Sequence, residues 1–142
     1  MSESAPVLTP EQVSHVQSSF AQVVPIADTA ADLFYNRLFE LDSGLRRLFN
    51  EDMREQKKAL MAMLAVAVNN LGRLDTIVPA VQALGKRHGG YGVRDSDYDT
   101  VGAALIWTLE KGLGDGFTPN TRQAWLATYG VLAGTMKAAA NA

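Results

Sequence analysis

The stretch Leu84-Gly85-Lys86-Arg87-His88-Gly89-Gly90-Tyr91-Gly92-Val93 decides how this chain is read. Ile77, Val81, Leu84 and His88 fall at offsets 0, 4, 7 and 11, which is the spacing of one face of a helix. Gly89 and Gly90 then stop that helix. An imidazole therefore takes the last inward position of an otherwise apolar stripe. Neutral imidazole is the commonest metal ligand among side chains, and a haem iron is often held by one such histidine. A lone histidine on an apolar stripe is also commonly a satisfied core residue, so this fragment alone leaves both readings open.

Outward from it, the chain reads as helix after helix. Thr9-Pro10-Glu11-Gln12 opens the first, with Thr as N-cap, Pro at the first helical position and Gln three residues after the cap. Its apolar side is Val13, Val16, Phe20 and Val24, and Pro25 punctuates. The pattern predicts a second helix over 26–39, with Ala30, Phe34, Leu38 and Leu41 inward. Asp42-Ser43-Gly44 breaks it, and a short helical turn carries Leu45, Leu48 and Phe49. A further helix is expected over 52–69, where Gln56, Leu60, Met63, Leu64 and Ala67 form one stripe headed by an amide. After the His88 helix comes one over 96–112, with Tyr98, Val101, Leu105 and Leu109 inward. Thr118-Pro119 caps the last, whose stripe is Trp125, Tyr129, Leu132 and Met136. No strand alternation, internal repeat or low-complexity linker interrupts this. The class is all-α: about six main helices plus a short one.

Composition bounds the rest. At 142 residues the chain is one domain with room for a real core. Residues 1–8 read as a disordered lead, and 9–142 as the folded unit. A net charge of −2 offers no basic field to nucleic acid or to an anionic membrane. Cysteine is absent, which excludes disulfides, zinc ribbons, iron–sulfur ligation and covalent c-type haem attachment. The N-terminus has no basic region followed by an apolar one, so no signal peptide is expected. The longest apolar run, 59–68, is about half of a bilayer span. The expectation is a soluble, cytoplasmic protein.

Several motifs fail on inspection. Asp95-x-Asp97-x-Asp99 starts like a calcium loop, but Thr100 stands where glycine is needed and Ile106 where the bidentate glutamate belongs. Gly85 and Gly90 have the spacing of P-loop glycines without the following Lys-Ser/Thr or a preceding strand. His15 reads as surface or semi-exposed, and Met53, Met61 and Met63 as adaptable core filler. Two polar residues on inward stripes remain. Gln56 either caps a helix end or reaches water, or else points into a cavity. Tyr35 either packs with its hydroxyl outward, or joins Gln56 there.

Taken together, in this order and on these helices, these residues resemble a globin. The resemblance runs from about Leu8 to Met136. It is strongest from Leu84 to Val93, then through Tyr98-Asp99-Thr100-Val101-Gly102, Leu113 to Pro119 and Ala124 to Gly130, which are similar to neuroglobin and neuroglobin-like single-domain bacterial haemoglobins. Leu33 to Phe39 and Gln56 to Leu60 resemble the globin domain of flavohaemoglobins and their single-domain relatives. The resemblance implies a globin fold around haem b, with His88 as the proximal iron ligand. It implies Phe49 stacking on the haem and Tyr35 with Gln56 as the distal hydrogen-bonding pair. Leu60 would lie over the iron, and Val93, Tyr98, Val101 and Tyr129 would line the pocket. The other nitrogen of His88 is expected to bond the Leu84 carbonyl one turn back.

The implied chemistry is gas binding. An oxygen ligand gathers negative charge, so a tyrosine hydroxyl and a glutamine amide aimed at it make charge-assisted hydrogen bonds. Each is worth about 1.5–3 kcal/mol, which slows oxygen loss by about one to two powers of ten. Carbon monoxide would gain less. The relatives' task implied for the chain is tight oxygen binding coupled to dioxygenation of nitric oxide to nitrate, with a separate reductase. Storage, delivery or sensing of oxygen is the alternative, and a haem-free interaction module a third. Two departures stand out. Ala140 replaces the glutamate that pairs with Tyr98 in the flavohaemoglobin network, and Ser43-Gly44 replaces the proline that opens the short helix, so a looser corner is expected there.

Overall fold

Thr9 opens the first helix as its neighbours imply. Its hydroxyl accepts from the Gln12 amide at 3.1 Å, and Gln12 Oε1 accepts from the Thr9 amide at 2.9 Å. The computed structural model describes residues 8–49, 51–90 and 93–140. Most of the lead assigned to residues 1–8 thus lies outside the described residues, but Leu8 is buried, so the folded part starts one residue earlier than expected. Six α-helices follow in order: α1 (Pro10–Val23), α2 (Ala27–Leu41), α3 (Arg54–Asn69), α4 (Val78–Gly90), α5 (Asp95–Leu113) and α6 (Pro119–Ala140). Short 3₁₀ turns lie at Val24–Ile26, Ser43–Leu48, Leu71–Thr76 and Gly114–Gly116. No strand occurs among the described residues, and none of their helices is long and apolar enough to cross a membrane.

The core forms where α1, α2, α5 and α6 meet, around Val16, Phe20, Phe34, Leu38, Leu105 and Trp125. Trp125 is 2 % exposed, and its indole N–H must find an acceptor there. It donates to Ser19 Oγ at 2.8 Å, and that hydroxyl donates in turn to the His15 carbonyl at 2.7 Å. This chain ties α6 to α1 across the middle of the core. Without it the buried donor would cost about 1–3 kcal/mol.

The α4–α6 contact is closer still. A Cβ on Gly85 would lie 2.6 Å from Met136 Cα, so only glycine lets the two backbones meet. Gly102 does the same on α5, where the Tyr129 ring would lie 2.8 Å from a Cβ.

Three residues expected inward are exposed: Val24 at 55 %, Leu41 at 42 % and Met63 at 41 %. Val24 fails because α1 ends at Val23, which takes the core place, and Pro25 sits in the 3₁₀ turn that rotates the chain away. Leu41 is the last residue of α2, beyond the turn that carries buried Leu38. Met63 fails for a more informative reason. The α3 side that packs on the core and lines its inner void carries Met61 and Leu64, and Val68 is buried one turn on. Leu60 and Leu64 of the expected stripe line that void and Ala67 is buried, so the stripe fails at Met63 and at exposed Gln56, which lie at its edge. The corner at Ser43-Gly44 is not loose. Asp42 Oδ1 accepts from the Gly44 amide at 3.0 Å, and Arg46 donates to the carbonyls of Phe49 at 3.2 Å and Glu51 at 3.1 Å.

Candidate functional site

Tyr35 is 4 % exposed and locked by aromatic rings on three sides. Its centroid lies 4.9 Å from Phe34 and 5.6 Å from Phe49, both edge-on, and 6.1 Å from Phe39. Such contacts fix a ring better than area alone. The open reading of its hydroxyl closes here, because Gln56 Nε2 donates to Tyr35 Oη at 3.0 Å, joining α3 to α2. The phenol oxygen is used as an acceptor, so the phenol proton stays available to a further partner. Burial raises the Tyr35 pKa, and the Gln56 hydrogen bond pulls it the other way. The group is therefore neutral, and a donor, at ordinary pH. Gln56 itself is an exposed residue at the start of α3, so its stripe is headed by an amide at the rim and not by a buried one. Leu60, one turn on, is half-buried.

The second group is built by α4, α5 and α6. Val81, Leu84 and His88 are all half-buried, and the buried residue of α4 is Gly85, on the α6 side. The predicted stripe thus starts buried at Ile77, just before α4, and continues along a partly covered face beside the packed one. His88 Nδ1 lies 2.7 Å from the Leu84 carbonyl, the bond expected one turn back. That carbonyl only accepts, so Nδ1 carries a proton, and in the neutral tautomer that this fixes it is Nε2 that holds the lone pair. Among the described residues Nε2 has no partner. The Val93 amide donates to the His88 carbonyl at 3.0 Å; Tyr91 and Gly92 lie outside the described residues.

Tyr98 lies 6.4 Å from His88 between ring centroids, and its buried hydroxyl has no hydrogen-bond partner among the described residues. Burial, then the charge of Asp95, raises its pKa. Ala140 stands nearby, its Cβ 3.3 Å from where a Cβ on Gly89 would be, and offers no carboxylate. Tyr129 sits behind, its hydroxyl donating to the Tyr98 carbonyl at 2.7 Å. Burial, with lesser contributions from Tyr98 and Asp99, drives its pKa far up. Val101 is half-buried and packs on the core. The acidic run is accounted for too: Asp97 accepts from the Arg94 amide at 2.9 Å and caps α5.

Among the described residues no hydrogen bond or ring contact joins the two groups, and α3 and α4 are not a packed pair. What holds them in one frame is α5, which packs on α2 and on α6. Sequence reasoning missed Ser19, Gly85, Gly102 and Arg46. Gly85 and Gly102 carried a signal, since glycine inside a helix costs about 1 kcal/mol against alanine and calls for a packing reason.

Comparison with known proteins gives this arrangement its context. The family model described as Globin matches residues 32–136. The flavohemoprotein of Bacillus subtilis is 29 % identical over 130 residues, covering 89 % of this chain and 33 % of that protein. The chain thus spans about a third of that relative's length. The neuroglobin of Danio rerio is 30 % identical over 118 residues, covering 73 % of this chain and 74 % of its own. A bacterial globin from Campylobacter jejuni superposes with a TM-score of 0.78 at 24 % identity, over 94 % of this chain and 96 % of that one. Matched along most of its length in sequence and along nearly all of it in fold, the chain belongs to the globin family.

Proposed function

We propose that the partly covered faces of α3 and α4 hold haem b, and that the protein binds oxygen as its ligand. The observation that carries this is the Nδ1–Leu84 hydrogen bond of His88, which turns Nε2 away from Leu84 as the nitrogen that would ligate a metal. The surroundings fit the group as well. Half-buried Leu60, Leu84, Val93 and Val101 are apolar and incompletely covered. Covering such surface with a flat apolar ligand contributes about 25 cal/mol per Å². Phe49, edge-on to Tyr35, would stack on the haem at the short 3₁₀ turn, with Tyr98 and Tyr129 supporting the histidine side.

Bound haem would supply the iron that takes a diatomic gas. The protein's contribution is what surrounds that gas. Tyr35 would donate its free phenol proton, and Gln56, by donating to Tyr35 Oη, would hold the phenol and polarise it. Gln56 is a poor iron ligand, so the sixth position would be left to oxygen, nitric oxide or carbon monoxide. The relationship to a flavohemoprotein favours turnover as nitric oxide dioxygenation, and the electrons would then come from a separate reductase.

Visible spectra of the purified ferric and ferrous protein, with and without carbon monoxide, test the haem assignment. A five-coordinate ferrous spectrum that converts on carbon monoxide is expected; absence of haem, or a six-coordinate ferrous form without added ligand, would sink it. Sustained nitrate production from nitric oxide with a cellular reductase separates turnover from oxygen storage, delivery or sensing.

A further inference from the structure

We propose that a groove on the outer face of α2, α5 and α6, away from His88, binds a planar aromatic anion. The groove is about 450 Å³, inside the range of small-molecule sites. Its floor is aromatic and apolar: Trp107, Tyr129 and Leu126 line it, and Leu126 is 42 % exposed. Gly102 makes this floor, because only its missing Cβ lets the Tyr129 ring lie down on α5.

Cations stand at the floor and rim of the groove. The Arg37 guanidinium lies 5.1 Å and the Lys111 ammonium 5.6 Å from the Trp107 ring centroid. Arg122 lines the opposite wall on α6. Two acids also line the groove: Asp99 is 4.0 Å from Lys137, and Glu110 is 3.8 Å from Arg122, so a ligand's negative group would share Arg122 with Glu110. Glu40, 3.5 Å from Arg37, stands out toward solvent. The balance suits a ligand with a flat ring for the floor and a negative group for Arg37 and Arg122, which a guanidinium can grip by two nitrogens. Nucleotides and aromatic carboxylates share that chemistry. The groove shares Tyr129 with the proposed haem side, while Trp107, Arg37 and Arg122 belong to it alone.

Calorimetric titration of the full chain with adenosine monophosphate, and separately with naphthoate, tests it. Binding of either with a Kd below ~1 mM is expected. Trp107→Ala and Arg122→Gln should each weaken it about tenfold, the stacking and charge contributions being of that size. Binding of the nucleotide alone or of the carboxylate alone supports the site and names its source. No binding of either probe, or equal affinity in both variants, overturns it. So does a concentration-dependent dimer that Leu126→Glu abolishes, since this face would then belong to a second copy. Arg122 is exposed on α6, so its variant keeps the test valid even if Trp107→Ala fails to fold.

Discussion

Gln56 gives its amide hydrogen to Tyr35, and not the reverse, across 3.0 Å between the start of α3 and the middle of α2. The direction matters because a phenol that accepts one bond is still free to donate another. Tyr35→Phe should therefore speed oxygen dissociation about tenfold or more, by loss of a charge-assisted bond. Stopped-flow displacement by carbon monoxide measures it. An unchanged rate would mean that the Tyr35 proton points elsewhere. Gln56→Leu should act partly through Tyr35, so the double variant should lose less than the two single losses combined.

His88→Gly should abolish stable haem retention, and added imidazole should restore it, as read from the visible spectrum. Normal retention in the variant would remove His88 from the iron.

Gly85→Ala reverses an ordinary expectation. In an exposed helix this change stabilises by about 1 kcal/mol. Here the new methyl meets the Met136 backbone of α6, which cannot yield as a side-chain tip would. A loss of about 1–3 kcal/mol is expected from overpacking, measured by urea unfolding. Gly90→Ala is the control, because a Cβ there meets nothing within 4 Å.

Ser19→Ala should cost about 1–3 kcal/mol, although it removes only one buried oxygen. The loss comes from the Trp125 N–H, which would keep its burial and lose its acceptor. A further Trp125→Phe change, which removes that donor, should then cost less than it does in the parent.

Alkaline pH should unfold the protein through its tyrosines. Tyr35, Tyr98 and Tyr129 all have pKa values raised above the ordinary 10.0, chiefly by burial. Below that value both folded and unfolded chains keep these phenols neutral, and no stability is lost. Above it the unfolded chain ionises first, so stability falls as pH rises toward the folded values. Phenolate absorbance should therefore climb together with loss of helical circular dichroism. Separate transitions would place these hydroxyls in water.

The sequence revealed the helices because periodicity, capping and proline placement are local. Thr9 with Gln12 could be read as a capping box from two letters. The His88–Leu84 bond was equally local, one helical turn apart. Which apolar residue faces which neighbour is not local, and there the reading of α3 is right for Leu60, Leu64 and Ala67 but not for Met63. Met61 and Val68, outside the expected stripe, carry the packed side with them. Met61 and Met63 are the same residue type two positions apart, so only the tertiary arrangement tells which of them packs. Arg46 closing the corner after Asp42 was invisible for the same reason, since its acceptors are backbone carbonyls that come within reach only when the turn forms.

Gly85 has one more consequence. It stands three residues before His88, about 4.5 Å along the helix axis. Two backbones in direct touch leave no side chain to compress between them. A pull on the imidazole thus cannot be absorbed at the α4–α6 seam. It would be passed to α6 at the Met136 backbone.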